Sequence, residues 1–166
     1  MLVFLYHAFS LSLVRYLIPL FLLLVPYLFN GRISLRFSLR DGATGVIVSV
    51  IVLLPFWYFM ARTGKVFVML PAGTMLYQLL GISFPEEVYF RGFLQEKLGN
   101  TIKGVMIVSV LFSLMHSPRF VFYGDSYSLL TFFPSLVMGL LYWKTSNILP
   151  SLIFHCFSNI MFLGFL

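Results

Sequence analysis

The chain has 166 residues, 60% of them hydrophobic and only 10% charged, with a mean hydropathy of +0.99. Soluble domains are about 45–50% apolar and about 25% charged, so a water-soluble globule is excluded and an integral membrane protein is indicated. The net charge of +6 does not signal nucleic-acid binding. The basic residues do not cluster on one soluble surface but fall in short gaps between apolar runs, as membrane-flanking anchors do.

A spanning helix needs roughly 20 mostly apolar residues. Six segments qualify, at 9–29, 43–61, 66–82, 101–117, 127–143 and 147–166, so the expected fold is an all-α polytopic membrane bundle of six helices in one domain, 1–166. Arg15 interrupts the first segment and is expected to snorkel to an interface, with His7 near the same boundary. No Lys or Arg precedes this run and no A-x-A-like site follows it, so it reads as a retained span rather than a signal peptide. The gap at 31–41 carries Arg32, Arg36 and Arg40, and the gap at 62–65 carries Arg62 and Lys65. A further helical stretch is expected over 85–98, either continuing the third span past a kink at Pro85 or starting afresh. The run Ser83-Phe84-Pro85-Glu86 has the form of a helix start with a capping box, and proline is tolerated in a first turn. Lys97 and Lys103 follow, then Arg119 at 118–126 and Lys144 at 144–146. The odd-numbered gaps are the more basic, which by the positive-inside rule sets them in the cytoplasm and both termini outside. In the loop 116–128, Phe120, Phe122, Tyr123 and Tyr127 read as interfacial anchors and Asp125 as solvated. The single Cys156 lies within an apolar run, so no disulfide framework exists and a small packing residue is expected.

An ionisable residue inside a membrane segment marks a functional site by default. Setting the anchors aside leaves Glu86, Glu87, Arg91, His116 and His155, together with the amide of Asn159. Glu87 and Arg91 stand at i, i+4 on one helix face and can pair, while Glu86 is rotated about 100° away. His155 and Asn159, again i, i+4, project together from the last span. His116 ends the fourth span, one turn after Phe112.

Neither a G-x-S-x-G elbow nor an H-E-x-x-H signature is present. A zinc site from Glu86, His116 and His155 is one chemistry these residues allow. A metal-free one fits the same groups: Glu86 takes a proton from a water that His116 holds, the water attacks a carbonyl, and His155 and Asn159 donate to the oxyanion. General-base catalysis contributes about 10²–10⁴-fold and each oxyanion donor about 10²–10³-fold. Two other classes use the same residues differently. A non-enzymatic immunity or scaffold protein would keep them to glue helices together. A small transporter with a Glu/His relay would be expected to show an internal repeat, and none is seen.

Three strings in order carry a resemblance: EEVYFR at 86–91, FSLMH at 112–116 and HCFSN at 155–159, of the forms EExxxR, FxxxH and HxxxN. Their flanks, EEVYFRGFLQEKL and VMGLLYWKTSNILPSLIFHCFSN, agree. Over residues 81–166 the chain resembles the CAAX-protease and bacteriocin-processing family of intramembrane proteases, which includes the Rce1-type endoproteases. The resemblance implies a helical bundle with a polar intramembrane cavity, and Glu86 as the catalytic glutamate with His116 as its partner on the water. It implies oxyanion stabilisation by His155 and Asn159, supporting roles for Glu87 and Arg91, and no cofactor. The implied substrate is a membrane-anchored protein or peptide, a prenylated CAAX protein being the best-known case. With six spans the chain is short for this family, and short members resemble those of prokaryotic protein-sorting systems. A prokaryotic cell membrane is the expected location.

Overall fold

A computed structural model describes residues 14–29, 31 and 34–165. The expectations placed on His7, on Arg32 and on the Arg15 side chain lie outside the described residues. The rest is helical, with no strand among the described residues. Helix α1 is Val14–Leu28 and α2 is Leu39–Arg62. Helix α3 is a composite of α-helical Ala72–Tyr77, a π segment Gln78–Ser83, α-helical Phe84–Glu87 and a second π segment Val88–Gln95. Helix α4 is Ile102–Tyr123, a 3₁₀ turn spans Ser126–Thr131, α5 is Phe132–Thr145 and α6 is Ile148–Gly164.

Among the described residues, three runs are long and apolar enough to cross a membrane: Leu39–Arg62, Ile102–Tyr123 and Ser126–Thr145. Tyr16–Leu28 and Ile148–Gly164 are shorter apolar helices. The expectation of six full-length spans is corrected most at 66–82. There residues 66–71 form an extended strap, and the helix begins only after Pro71, because proline's fixed φ and missing donor suit a helix entry rather than its interior. The strap is pinned to the end of α6 by Val68 N–H donating to the Gly164 carbonyl at 2.8 Å, and by an edge-on Phe67–Phe165 ring pair at 5.4 Å.

The polarity is inverted relative to a soluble protein. Side chains such as Ile47, Val50, Ile51 and Leu54 of α2 face outward, whereas Glu86, Glu87, Arg91, Gln95, Asn147 and His155 are buried. This is the arrangement a hydrocarbon solvent selects, since unpaired polar groups are costly there. The apolar core joins Phe90 of α3, Val108 and Phe112 of α4, Met138 and Leu141 of α5, and Phe154 of α6. Helix α2 lies along α6. The approach is closest at Gly45, where an added Cβ would stand 2.9 Å from both the Cα and the carbonyl oxygen of Pro150. Small residues let membrane helices close in this way.

The segment before α2 is tied down by one side chain. Asn147 Oδ1 accepts from Arg36 N–H (3.1 Å) and Leu149 N–H (3.2 Å), and its amide donates to the Arg36 carbonyl and to Asp41 Oδ2, both at 2.8 Å. One asparagine thus caps α6 and fastens residues 34–41 to its start. Cys156 is buried in α6, in keeping with a packing role.

Candidate active site

The expected capping box is not formed. Ser83 has helical dihedrals and makes no side-chain cap bond, so α3 runs straight through Pro85. The π register explains how. The N–H of Phe84 reaches the Leu79 carbonyl, five residues back, so the chain is already underwound at the point where Pro85 supplies no donor. Of the two readings open for 85–98, continuation is the one observed, without a fresh start. π turns are frequent at functional sites, and here they flank the two glutamates on both sides.

Both glutamates turn to the same partner on α6. Glu87 Oε1 lies 2.9 Å from His155 Nδ1, and Glu86 Oε2 lies 3.5 Å from His155 Nε2. The 100° offset between adjacent residues therefore does not send Glu86 elsewhere. The two ring nitrogens lie on different edges of the imidazole, and two carboxylates offset in angle reach one each. Because the Glu87 carboxylate can only accept, it holds the proton on Nδ1 and turns Nε2 toward Glu86. Arg91 backs Glu87, with Nε 3.5 Å from Oε2, and donates from Nη2 to Ser135 Oγ at 3.0 Å. Its guanidinium lies 5.4 Å from the centre of the Phe112 ring. Phe112 is the wedge of the site. It packs edge-on to Phe90 and His155 at 5.0 and 5.8 Å and tilted against His116 at 4.7 Å.

His116 does not end its helix, as the sequence suggested, because α4 continues to Tyr123. Its Nδ1 is bound to the Phe112 carbonyl at 2.9 Å, which leaves Nε2 for any ligand. Asn159 stands one turn beyond His155, and its amide donates to Gln78 Oε1 (3.2 Å) and Ser83 Oγ (3.4 Å) on α3. Glu86, His116, His155 and Asn159, from three helices, all line one cleft of about 570 Å³. Glu87 and Arg91 are fully buried behind it. The cleft walls are mostly apolar, from Val52, Leu53, Phe56, Phe133, Phe154 and Phe162 among others. Glu86 Oε2 is buried there without a hydrogen-bond partner. Among the described residues no group of three His, Cys, Asp or Glu side chains is arranged to hold a metal ion.

Several residues of the site went unnoticed in the sequence. Gln78 lines the cleft and was within reach of the same criterion, being the one amide in the run 66–82. Ser135 offered no signal, since lone serines are common in membrane helices, and Ser83 was read as a helix cap rather than as a partner of Asn159. Asp125 is not simply solvated. It pairs with Arg119 at 3.0 Å, accepts from Tyr127 N–H at 3.1 Å and lines the cleft. Tyr127, expected as an interfacial anchor, lines it as well.

A scan of family models matches residues 68–161 to the family described as type II CAAX prenyl endopeptidase Rce1-like. The matched stretch takes in the strap from Val68, all of α3, α4 and α5, and α6 through Met161. No curated protein and no solved structure matches the chain.

Proposed function

The chain belongs to the Rce1-like family of type II CAAX prenyl endopeptidases, and from that premise we propose that it is an intramembrane endopeptidase of the glutamate type, cutting a peptide bond near the membrane-anchored end of a partner protein. It is a membrane protease by family and by its apolar helices. The mechanism rests on one observation above all: a carboxylate oxygen of Glu86, buried and without a hydrogen-bond donor, borders an apolar cleft together with two histidines and an amide.

A carboxylate in that setting is a general base for water. His116 holds the water through Nε2. Attack on the scissile carbonyl places negative charge on its oxygen. Glu86 passes the proton it has taken to His155 Nε2, 3.5 Å away, which a small side-chain adjustment brings to bonding distance. The Nε2–H so formed donates to the oxyanion, and Asn159 joins it by releasing Gln78 or Ser83. Collapse of the intermediate breaks the C–N bond, and the proton leaves on the amine. Glu87 keeps His155 in the tautomer this requires, and Arg91 with Ser135 keeps Glu87 in place. These are positioning roles, comparable to the partners that fix a ligating or catalytic histidine elsewhere.

The test uses a prenylated CAAX-type peptide carrying a fluorophore and a quencher, with detergent-solubilised protein. Glu86→Gln is expected to lose about 10²–10⁴-fold in rate while remaining folded, and a strong chelator is expected to leave the wild type unchanged. Undiminished cleavage by Glu86→Gln would sink the mechanism. Loss with chelator would make Glu86, His116 and His155 metal ligands instead.

A further inference from the structure

The mechanism above leaves one strongly polar feature of the cleft without a task. Among the described residues lining it, Arg119 is the only Lys or Arg, and it lies on α4 three residues beyond His116. The two share a helix face and are separated by about 4.5 Å of rise. Arg119 is half-exposed and paired through Nη2 with Asp125 at 3.0 Å. That pair is not needed to fold the turn it belongs to. Asp125 N–H already donates to the Arg119 carbonyl (3.3 Å), Tyr127 N–H and Ser128 Oγ hold Asp125 (3.1 and 2.6 Å), and Ser113 Oγ donates to the Leu129 carbonyl (2.9 Å). A half-exposed ion pair adds little stability of its own. A guanidinium held by a weakly committed carboxylate at the end of an apolar cleft is poised to exchange that carboxylate for another, and the bidentate fit of guanidinium to carboxylate makes the exchange selective.

A peptide substrate carries such a carboxylate at its C-terminus. An extended peptide advances about 3.3–3.6 Å per residue, so three residues beyond a scissile bond end about 10 Å from it. Arg119 lines the same cleft as Glu86 and His116, one turn along α4 from His116, so a carboxylate bound there lies within a few residues of the scissile bond. Val137, Phe133 and Pro134 give the same cleft apolar lining. We infer that Arg119 is a specificity-determining residue: it binds the free C-terminal carboxylate of the substrate, displacing Asp125, and so sets the cut a short, apolar, C-terminal peptide away from the chain end. This rests on the reading of the Glu86 pole as the reacting centre.

The experiment compares two prenylated, quenched peptides that differ only at the C-terminus, one a free carboxylate and one a carboxamide, with the full chain in detergent. Wild type is expected to prefer the acid by about tenfold or more in kcat/KM. Arg119→Gln is expected to bring that ratio close to one, chiefly through KM for the acid, and Arg119→Lys to keep part of it. Asp125→Asn removes the competing carboxylate and is expected to lower KM for the acid. It serves as the second readout if Arg119→Gln fails to fold. Binding of both peptides to Glu86→Gln, followed by fluorescence anisotropy, repeats the comparison without chemistry. Equal loss on both peptides in Arg119→Gln overturns the proposal and leaves Arg119 to the fold or to an anionic lipid headgroup, which added phosphatidylglycerol would reveal by restoring activity on both. An acid preference alongside unimpaired cleavage by Glu86→Gln would uphold Arg119 while removing the mechanism. Protein that neither binds nor cuts the free acid overturns both.

Discussion

Replacing Arg91 by methionine isolates what the buried ion pair contributes. Arg91 and Glu87 are both 0% exposed, and Nε and Oε2 are 3.5 Å apart. Methionine fills much of the same space but removes the charge, the bond to Ser135 and the contact with Phe112. Glu87 would keep its carboxylate in the interior, bonded to His155 Nδ1 but without its guanidinium. Breaking a buried pair from one side costs about 3–5 kcal/mol, a large share of the roughly 5–15 kcal/mol that keeps a domain folded. Removing both charges at once, in Glu87→Gln with Arg91→Met, leaves no orphaned ion, and the glutamine oxygen still accepts from His155 Nδ1. Replacing a buried pair with neutral groups is often close to neutral in stability, so the double variant should recover at least about 2 kcal/mol relative to Arg91→Met alone. Thermal or denaturant unfolding in detergent, followed by circular dichroism, reads the four corners of the cycle. A double variant as unstable as Arg91→Met would refute the reasoning and assign the role of Arg91 to its packing against Phe112 and its bond to Ser135.

Two further outcomes concern the scaffold. Gly45→Ala gains up to about 1 kcal/mol in helix propensity, but its Cβ meets the Pro150 backbone at 2.9 Å at a cost of about 1–3 kcal/mol. It should therefore destabilise, whereas Gly42→Ala, with nothing within 4 Å of its Cβ, should stabilise; the same sign of shift in melting temperature for both would count against the close α2–α6 approach. Asn147→Ala removes four hydrogen bonds and should cost about 2–4 kcal/mol. The loss should be local, appearing as faster hydrogen exchange and proteolysis over residues 34–41, and unchanged protection there would show that the asparagine is not the clamp.

Composition alone decided the solvent. With so few charges and such long apolar runs, the chain satisfies its backbone as helices in a bilayer, and the polar residues left inside those runs marked the candidate site. Glu86, His116, His155 and Asn159 were legible for that reason, and the i, i+4 spacing of Glu87 and Arg91 foretold their pairing. Hydropathy did not separate helix from strap at 66–71, because both are equally apolar and only Pro71 tells them apart. Nor did it show the through-running α3, where local rules favour a start at Ser83 and the π register set by packing overrides them. Which groups meet was decided by tertiary structure alone. His155 between two glutamates, Ser135 on Arg91, Gln78 on Asn159 and Asp125 on Arg119 are contacts across helices. A single chain carries periodicity along each helix but not the rotation of one helix against another, and that rotation is set by where the side chains interlock.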